Sequence, residues 1–194
     1  MAKINHVTTV EPPYSYTTAE LRAEFERRWF PDLPTPVRRK MQKLFEAGQI
    51  ERRCSVVPLD LVLSGAGLGE RNEMYRRAMI ELGRQALAKA LEESGTSPDE
   101  IGAVISTSCT GFMIPSVDAY LVDLLGLPGD VLRLPVTEMG CAGGTSGLIY
   151  ARSLAGSLPG KKIALLSLEA PSLTFLRNDH TAENLVSASI FADG

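Results

Sequence analysis

The second half of this 194-residue chain alternates short apolar segments with amphipathic ones, and this alternation constrains the fold more than any other feature. Apolar runs at residues 103–108, 131–136 and 162–168 predict three buried strands. Between them, residues 115–125 and 142–154 have helical spacing. Strands that alternate with helices in this way form right-handed βαβ units on a mostly parallel sheet. The chain is therefore predicted to be an α/β protein with its reactive residues where strands end.

Before this region the sequence predicts helices. Thr17 and Glu20 have capping-box spacing at the start of a helix that reaches about residue 30. A second helix is bracketed by Pro36 and Gly48, and a third, amphipathic helix covers residues 70–93. The predicted inward face of this third helix is Met74, Ala78, Leu82, Ala86 and Ala90.

Composition excludes several classes of function. Twenty Lys and Arg residues against 23 Asp and Glu leave a net charge of −3, which does not favour a nucleic-acid partner. No apolar run is long enough to span a membrane, and no signal peptide is apparent. The three cysteines form no CxxC pair, so the sequence predicts neither a disulfide framework nor a zinc site. These features favour a cytoplasmic protein.

The final segment, AENLVSASIFADG, is predicted to be a helix or strand that enters a Gly turn. Its apolar residues Leu185, Val186, Ile190 and Phe191 still require burial at the end of the chain. Chain termini are usually polar and frayed, so we expect a C-terminal half to be missing.

Cys141 is the strongest candidate for chemistry. A strand is predicted to run into the small residues Gly140–Gly144, and a helix begins at once. A thiol at a helix N-terminus is shifted towards thiolate, and the same N–H groups can hold an oxyanion. The alternative, a small buried hydrophobic cysteine, stays open at this point. The only histidines are His6, in a predicted tail, and His180, in a polar loop, and both are expected to be surface residues.

Four segments of the chain are distinctive: SCTGFMIPS at 108–116, MGCAGG at 139–144, SLTF at 172–175 and FADG at 191–194. Together they resemble motifs of the type III polyketide synthases, the chalcone-synthase-like enzymes of thiolase fold. Ala192 stands where the last motif usually has Gly. The resemblance covers residues 38–194. It implies an N-terminal helical region at 1–50 and a thiolase-like N-terminal half-domain at 51–194, without the C-terminal half.

The resemblance also implies roles for individual residues. Cys141 matches the nucleophile that accepts the starter acyl group and holds the growing polyketide. Lys40 and Lys43 match two basic residues that meet the CoA phosphates, whereas Ala47 stands at a third such position. The remaining matches are the pocket residues Cys109, Thr110 and Thr174, the aromatic gatekeeper Phe191, and Ile114 at the dimer interface.

The implied substrates are acyl-CoA and malonyl-CoA, and no metal or redox cofactor is implied. Within the family, the motif sequences are most similar to those of bacterial enzymes that make alkylpyrones or alkylresorcinols from long-chain acyl-CoA starters. The implied partners are a second copy of the chain, a separate C-terminal half, or both. The family's catalytic histidine and asparagine lie in that second half, and His180 does not match them. Two alternatives remain: a non-catalytic half that acts as a scaffold, and a ketoacyl synthase that uses acyl carrier protein.

Overall fold

The computed structural model describes residues 2–194 and contains two compact units. The first unit comprises residues 2–10 and Tyr75–Glu169, and the second comprises Glu11–Met74 and Ala170–Gly194. The boundary predicted at residue 50 falls inside the second unit, and the division expected there stays a prediction.

The described residues form seven α-helices and five strands. The helices are α1 (Thr18–Arg28), α2 (Thr35–Ala47), α3 (Leu59–Val62), α4 (Leu68–Ser94), α5 (Val117–Leu124), α6 (Gly143–Ser157) and α7 (Ala182–Ile190). The strands are β1 (Tyr14–Thr17), β2 (Arg52–Ser55), β3 (Ile101–Thr107), β4 (Leu132–Val136) and β5 (Lys162–Ser167). All helices and strands expected from residue 97 to residue 168 are present, with ends that differ by a few residues.

The first unit contains the predicted parallel sheet. The strand order is β4-β3-β5, and β3 pairs in parallel with both neighbours. In this register Ala103 lies beside Leu132, and Val104 lies beside Ala164. Ala103, Val104 and Ile105 are fully buried, as expected for a central strand covered on both faces. The predicted α/β class is therefore confirmed.

Glycines let α6 approach the sheet closely. A Cβ atom at Gly147 would lie only 2.5 Å from Leu165 Cδ1, so a larger residue there would force a shift. A Cβ atom at Gly143 would lie 3.4 Å from the Thr107 Cβ atom. This close approach fixes the start of α6 over the carboxyl end of β3.

A buried carboxylate holds α5 against the same sheet. Asp118 is fully buried, and its Oδ1 accepts a hydrogen bond of 2.6 Å from the Ser106 hydroxyl on β3. The guanidinium of Arg133, on β4, lies 3.5 Å from Asp118 Oδ2. A buried carboxylate without partners is strongly destabilising, so these contacts fix the position of α5.

The face of α4 that packs inward is not the predicted one. Its buried residues include Tyr75, Met79, Leu82 and Leu87, and only Leu82 belongs to the predicted face. The other predicted positions are half-buried. The larger side chains remove more apolar area from water than alanines do, so they decide which face packs inward.

The second unit contains a short antiparallel pair that the sequence analysis did not predict. β1 and β2 pair with Tyr14 beside Ser55 and Thr17 beside Arg52. The predicted capping box of α1 is confirmed, because Glu20 N–H donates to Thr17 Oγ1 at 3.2 Å and Thr17 N–H donates to Glu20 Oε2 at 2.7 Å. The strand and the helix therefore meet at one residue, Thr17.

An aromatic cluster forms the core of the second unit. The Phe25 ring centroid lies 5.5 Å from those of Trp29 and Phe45 and 5.7 Å from that of Phe175. Trp29 meets Phe175 edge to face at 4.8 Å and is fully buried. Its indole N–H donates to the Arg177 carbonyl at 2.7 Å, which satisfies the buried donor. The predicted apolar stripe of α1 thus faces a core.

The final segment is a helix, α7, which is one of the two structures predicted for it. Leu185 is buried, whereas Val186, Ile190 and Phe191 are exposed. A single helix turns only one face inward, and here that face also carries the buried Ser189.

Candidate active site

Cys141 is exposed and lies in a single 3₁₀ turn, Gly140–Ala142, between β4 and α6. The helix begins at Gly143, one residue later than predicted, so the sulfur precedes α6. The chain enters this turn through two left-handed residues, Glu138 with φ 65° and Gly140 with φ 53°. A left-handed conformation is uncommon for Glu, and such backbone is found preferentially at functional sites.

One backbone N–H group at the start of α6 already has a hydrogen-bond partner within the turn. The Gly143 N–H donates to the Gly140 carbonyl, and Ala142 at the N-cap provides no side-chain hydrogen bond. The positive end of the helix dipole still faces the turn. The N–H groups of the residues after Gly143 are thus the candidates for holding an oxyanion.

Glu169, which the sequence analysis missed, organises the loop after β3. Its Oε1 accepts a hydrogen bond from the Cys109 backbone N–H at 3.0 Å. Its Oε2 accepts from the Thr110 hydroxyl at 2.6 Å and from the Ser108 hydroxyl at 3.3 Å. Parallel neighbours end at the same edge of a sheet, so a polar residue directly after the apolar run 162–168 was the available signal.

The Cys109 thiol lies close to the turn that carries Cys141. The Gly140 N–H donates a hydrogen bond to the Cys109 sulfur. Burial raises the pKa of Cys109, and its hydrogen bond to Glu169 raises it further, whereas the Gly140 N–H acts in the opposite direction. At neutral pH Cys109 is therefore a thiol, which is a weaker nucleophile than a thiolate.

Tyr75 supports the same loop from α4. Its hydroxyl donates to the Ser108 hydroxyl at 2.7 Å. Burial raises the pKa of Tyr75, so the phenol keeps its proton for this bond. Gly111 lies against the ring so closely that a Cβ atom there would be 2.4 Å from the aromatic carbons. The loop is thus fixed from two sides, by Glu169 and by Tyr75.

Ile114 lies beyond this loop and is 99 % exposed. A large apolar side chain with this exposure is suited to a contact with another chain. Its assignment to a dimer interface stays a prediction.

Four predicted site residues belong to the second unit. Lys40 and Lys43 are exposed on α2. Thr174 is exposed, and its hydroxyl donates to the Pro171 carbonyl at 2.9 Å. Phe191 follows the last residue of α7 and is 47 % exposed. The roles assigned to these four residues stay predictions, whereas Cys141, Cys109 and Thr110 share one edge of the sheet in the first unit.

The aspartate of the FADG motif, Asp193, is held in place by hydrogen bonds. Asp193 Oδ1 accepts from the Ser172 N–H at 2.8 Å, and Oδ2 accepts from the Val56 N–H at 2.7 Å and the Ser172 hydroxyl at 2.5 Å. The Asp193 N–H donates to the Cys54 carbonyl at 3.0 Å. Burial raises the pKa of Asp193, against these hydrogen bonds, which lower it. This carboxyl ties the end of α7 to β2.

The two histidines lie in different units. His6 Nε2 is 2.9 Å from Glu93 Oε2, so the N-terminal segment is attached to α4 and is not a free tail. His180 is exposed in the second unit. Across residues 2–194, no three His, Cys, Asp or Glu side chains are grouped to hold a metal ion, and no helix has the length and apolarity to span a membrane.

Comparison with known proteins identifies the family. The model described as "Chalcone and stilbene synthases, N-terminal domain" matches residues 6–194. The chain belongs to the chalcone and stilbene synthases. It is 32% identical to a putative chalcone synthase of Bacillus subtilis over 199 residues, which cover 100% of this chain and 54% of that protein. It is also 32% identical to the phloroglucinol synthase of Pseudomonas fluorescens over 145 residues, 75% of this chain and 42% of the relative.

Solved structures of the chalcone and stilbene synthase family agree with this assignment. The 1,3,6,8-tetrahydroxynaphthalene synthase of Streptomyces coelicolor, a bacterial type III polyketide synthase, superposes with a TM-score of 0.86 at 26% identity over 95% of this chain and 52% of that one. The type III polyketide synthase domain of Steely1 from Dictyostelium gives a TM-score of 0.85 at 30% identity, over 94% of this chain and 51% of that one. These likenesses confirm the type III polyketide synthase resemblance and the thiolase-like fold. The chain spans about half the length of the curated relatives it matches.

Proposed function

We propose that this chain carries the acyl-accepting cysteine of a type III polyketide synthase that makes an alkylpyrone or alkylresorcinol. The observation that supports this most is the exposed Cys141 in a tight turn between a parallel strand and a glycine-lined helix. A nucleophile in such a turn is open to a bulky thioester, because the neighbouring Gly140, Gly143 and Gly144 have no side chains to obstruct it.

The proposed chemistry has two stages. The Cys141 thiolate attacks the thioester carbonyl of an acyl-CoA, and CoA leaves as its thiol while the acyl group becomes bound to sulfur. Malonyl-CoA then loses carbon dioxide, and the resulting enolate attacks the bound thioester, which frees the Cys141 sulfur. Both stages pass through oxygen anions that fixed donors must stabilise. The first turn of α6 supplies donors on this chain, and other donors come from the rest of the synthase.

Substrate recognition is proposed to use two exposed lysines and four pocket residues. Lys40 and Lys43 are exposed on α2 and carry positive charge for the CoA phosphates. Cys109, Thr110, Thr174 and Phe191 are proposed to shape the pocket for a long-chain starter. The protonated state of the Cys109 thiol supports this, because a pocket residue beside the nucleophile should not capture the acyl group itself.

The exposed side of α6 supports a partner in the complete enzyme. Leu148, Ile149 and Tyr150 are exposed there, with Ile149 at 61 %. Adjacent exposed apolar residues of this size are typical of a surface that another polypeptide covers. We propose that a second thiolase-type half covers this face, and that Ile114 contacts a second copy of the chain in a homodimer.

The test compares cysteine variants of the full-length gene product. After incubation with a long-chain acyl-CoA, mass spectrometry is expected to find the acyl group on Cys141. Cys141→Ala is expected to lose the adduct and product formation, whereas the matched variant Cys109→Ala should keep the adduct and change the products. An adduct that survives in Cys141→Ala contradicts the proposal, and a Cys141→Ala enzyme of full activity favours the scaffold alternative.

The extender substrate is a separate test. Malonyl-CoA and malonyl-loaded acyl carrier protein are supplied in parallel to the wild-type enzyme, with product release as the measurement. Turnover with malonyl-CoA alone is expected. Turnover that requires the carrier protein would favour a ketoacyl synthase instead.

A further inference from the structure

A buried arginine in the second unit lacks partners for two of its donors. Arg53 lies on β2, is 5 % exposed, and stacks over the Phe45 ring with its guanidinium carbon 5.1 Å from the ring centroid. Its Nη1 donates to the Ala188 carbonyl at 3.0 Å. Its Nε and Nη2 are buried, and neither has a hydrogen-bond partner among residues 2–194.

The second buried arginine of this unit has more partners. Arg71 is 4 % exposed, and its Nε and Nη2 donate to three backbone carbonyls, those of Ala66, Val62 and Ser64, whereas its Nη1 is buried without a partner among residues 2–194. Arg53 differs because the two unpaired donors, Nε and Nη2, lie on one edge of its guanidinium. Burial lowers the pKa of Arg53 to about 10, with no charged neighbour that opposes this effect. A buried charge without a counter-ion destabilises a protein. A buried guanidinium with two unpaired N–H donors therefore points to an anionic partner.

A cavity borders this arginine. Its volume is about 60 Å³, and its lining includes Arg53 and the apolar residues Phe25, Leu59, Val62 and Phe175. A single water needs about 10–15 Å³. The cavity therefore has room for a small molecule of several heavy atoms, with an apolar part among the rings and aliphatic side chains.

The chemistry of the donors selects the ligand class. The Nε–H and one Nη2–H of a guanidinium lie parallel on one edge, at the spacing of the two oxygens of a carboxylate. Arg53 is the only cation in the lining, which suits one negative charge better than a phosphate dianion. The buried carboxyl of Asp193 accepts hydrogen bonds from Ser172 and Val56.

We propose that this cavity is a carboxylate-binding site in which Arg53 Nε and Nη2 hold both oxygens and the apolar lining holds a short alkyl chain. The carboxylate comes either from a free small acid or from an Asp or Glu side chain of another polypeptide segment. Phe191, which the proposed function places in the substrate pocket, also lines this cavity, but the proposal does not depend on the polyketide chemistry of Cys141.

The test measures binding of butyrate to the chain by titration calorimetry at constant ionic strength, with butan-1-ol as the probe that lacks the carboxylate. Four proteins are compared: the wild type, Arg53→Met, Arg53→Lys and Arg52→Met. Arg52 is the matched control, because it is the exposed neighbour on the same strand and pairs with Glu11 at 2.8 Å. Arg53→Lys keeps the charge but loses the paired donors, so it remains informative if Arg53→Met does not fold.

Saturable butyrate binding is expected in the wild type and in Arg52→Met, with affinity weaker by about tenfold or more in both Arg53 variants and no saturable binding of butan-1-ol. Equal affinity in the Arg53 variants, or no saturable binding of butyrate to the wild type, overturns the proposal. The same titration of the full-length gene product then separates the two sources. Retained affinity indicates a free acid, and lost affinity indicates that a side chain of the polypeptide already fills the site.

Discussion

The loop after β3 in the first unit and the aromatic core of the second unit both place polar side chains against aromatic rings, but with opposite results. In the loop, the Tyr75 hydroxyl and the Glu169 carboxylate each have partners at hydrogen-bond distance. In the core, Arg53 lies against Phe45 with two donors unpaired. A fully paired network can hold a loop in one shape by itself, whereas an unpaired buried cation indicates a partner still to be supplied.

The largest expected effect concerns the aromatic core. Phe25→Ala removes a side chain that contacts three other rings, so we expect a loss of about 3–5 kcal/mol in the free energy of unfolding. Urea unfolding followed by circular dichroism measures this loss. The matched variant Phe112→Ala, at a residue 72 % exposed, is expected to stay within about 1 kcal/mol of the wild type. Equal losses in both variants would show that the cluster is not the core of its unit.

A smaller loss is expected in the loop. Gly111→Ala places a Cβ atom 2.4 Å from the Tyr75 ring, and that ring is held by its bond to Ser108. Overpacking of this kind costs about 1–3 kcal/mol, which thermal unfolding can measure. Gly129→Ala is the control, since a Cβ atom there meets nothing within 4 Å. If both variants melt with the wild type, Tyr75 does not fix the loop.

The smallest expected effect is on the reactivity of the Cys109 thiol. Glu169→Gln removes a carboxylate that raises the pKa of Cys109, so the pKa should fall and the thiolate fraction at pH 7.5 should rise. Each pKa unit changes this fraction about tenfold, and we expect Cys109 to react with iodoacetamide roughly threefold faster or more. Peptide mapping by mass spectrometry gives the rate at each cysteine. Cys54, in the other unit, is the internal control, and an equal acceleration there would mean that the variant has loosened the whole chain.

The comparison also shows what the sequence can and cannot predict. Periodicity located β3, β4 and β5 because each is a short, mainly apolar segment next to a helical one, and small residues after β4 located the turn at Cys141. Glu169 and Tyr75 were missed because their roles depend on partners far along the chain, 60 and 33 residues away. The pairing of β1 with β2 was missed because each strand has only four residues and no apolar run.

The wrong face predicted for α4 has a different cause. Spacing alone treats alanine and methionine as equal, but Met79 and Leu87 bury more apolar area than Ala78 and Ala86 do.

The sole tryptophan of the chain, Trp29, is a spectroscopic reporter of one unit only. Its indole is fully buried in the second unit, so its fluorescence emission should shift to longer wavelength when that unit opens to water. The far-ultraviolet signal, in contrast, is the sum over the helices of both units. Recording both signals in one urea titration therefore distinguishes a single cooperative transition from the separate unfolding of two units, without any label or substitution.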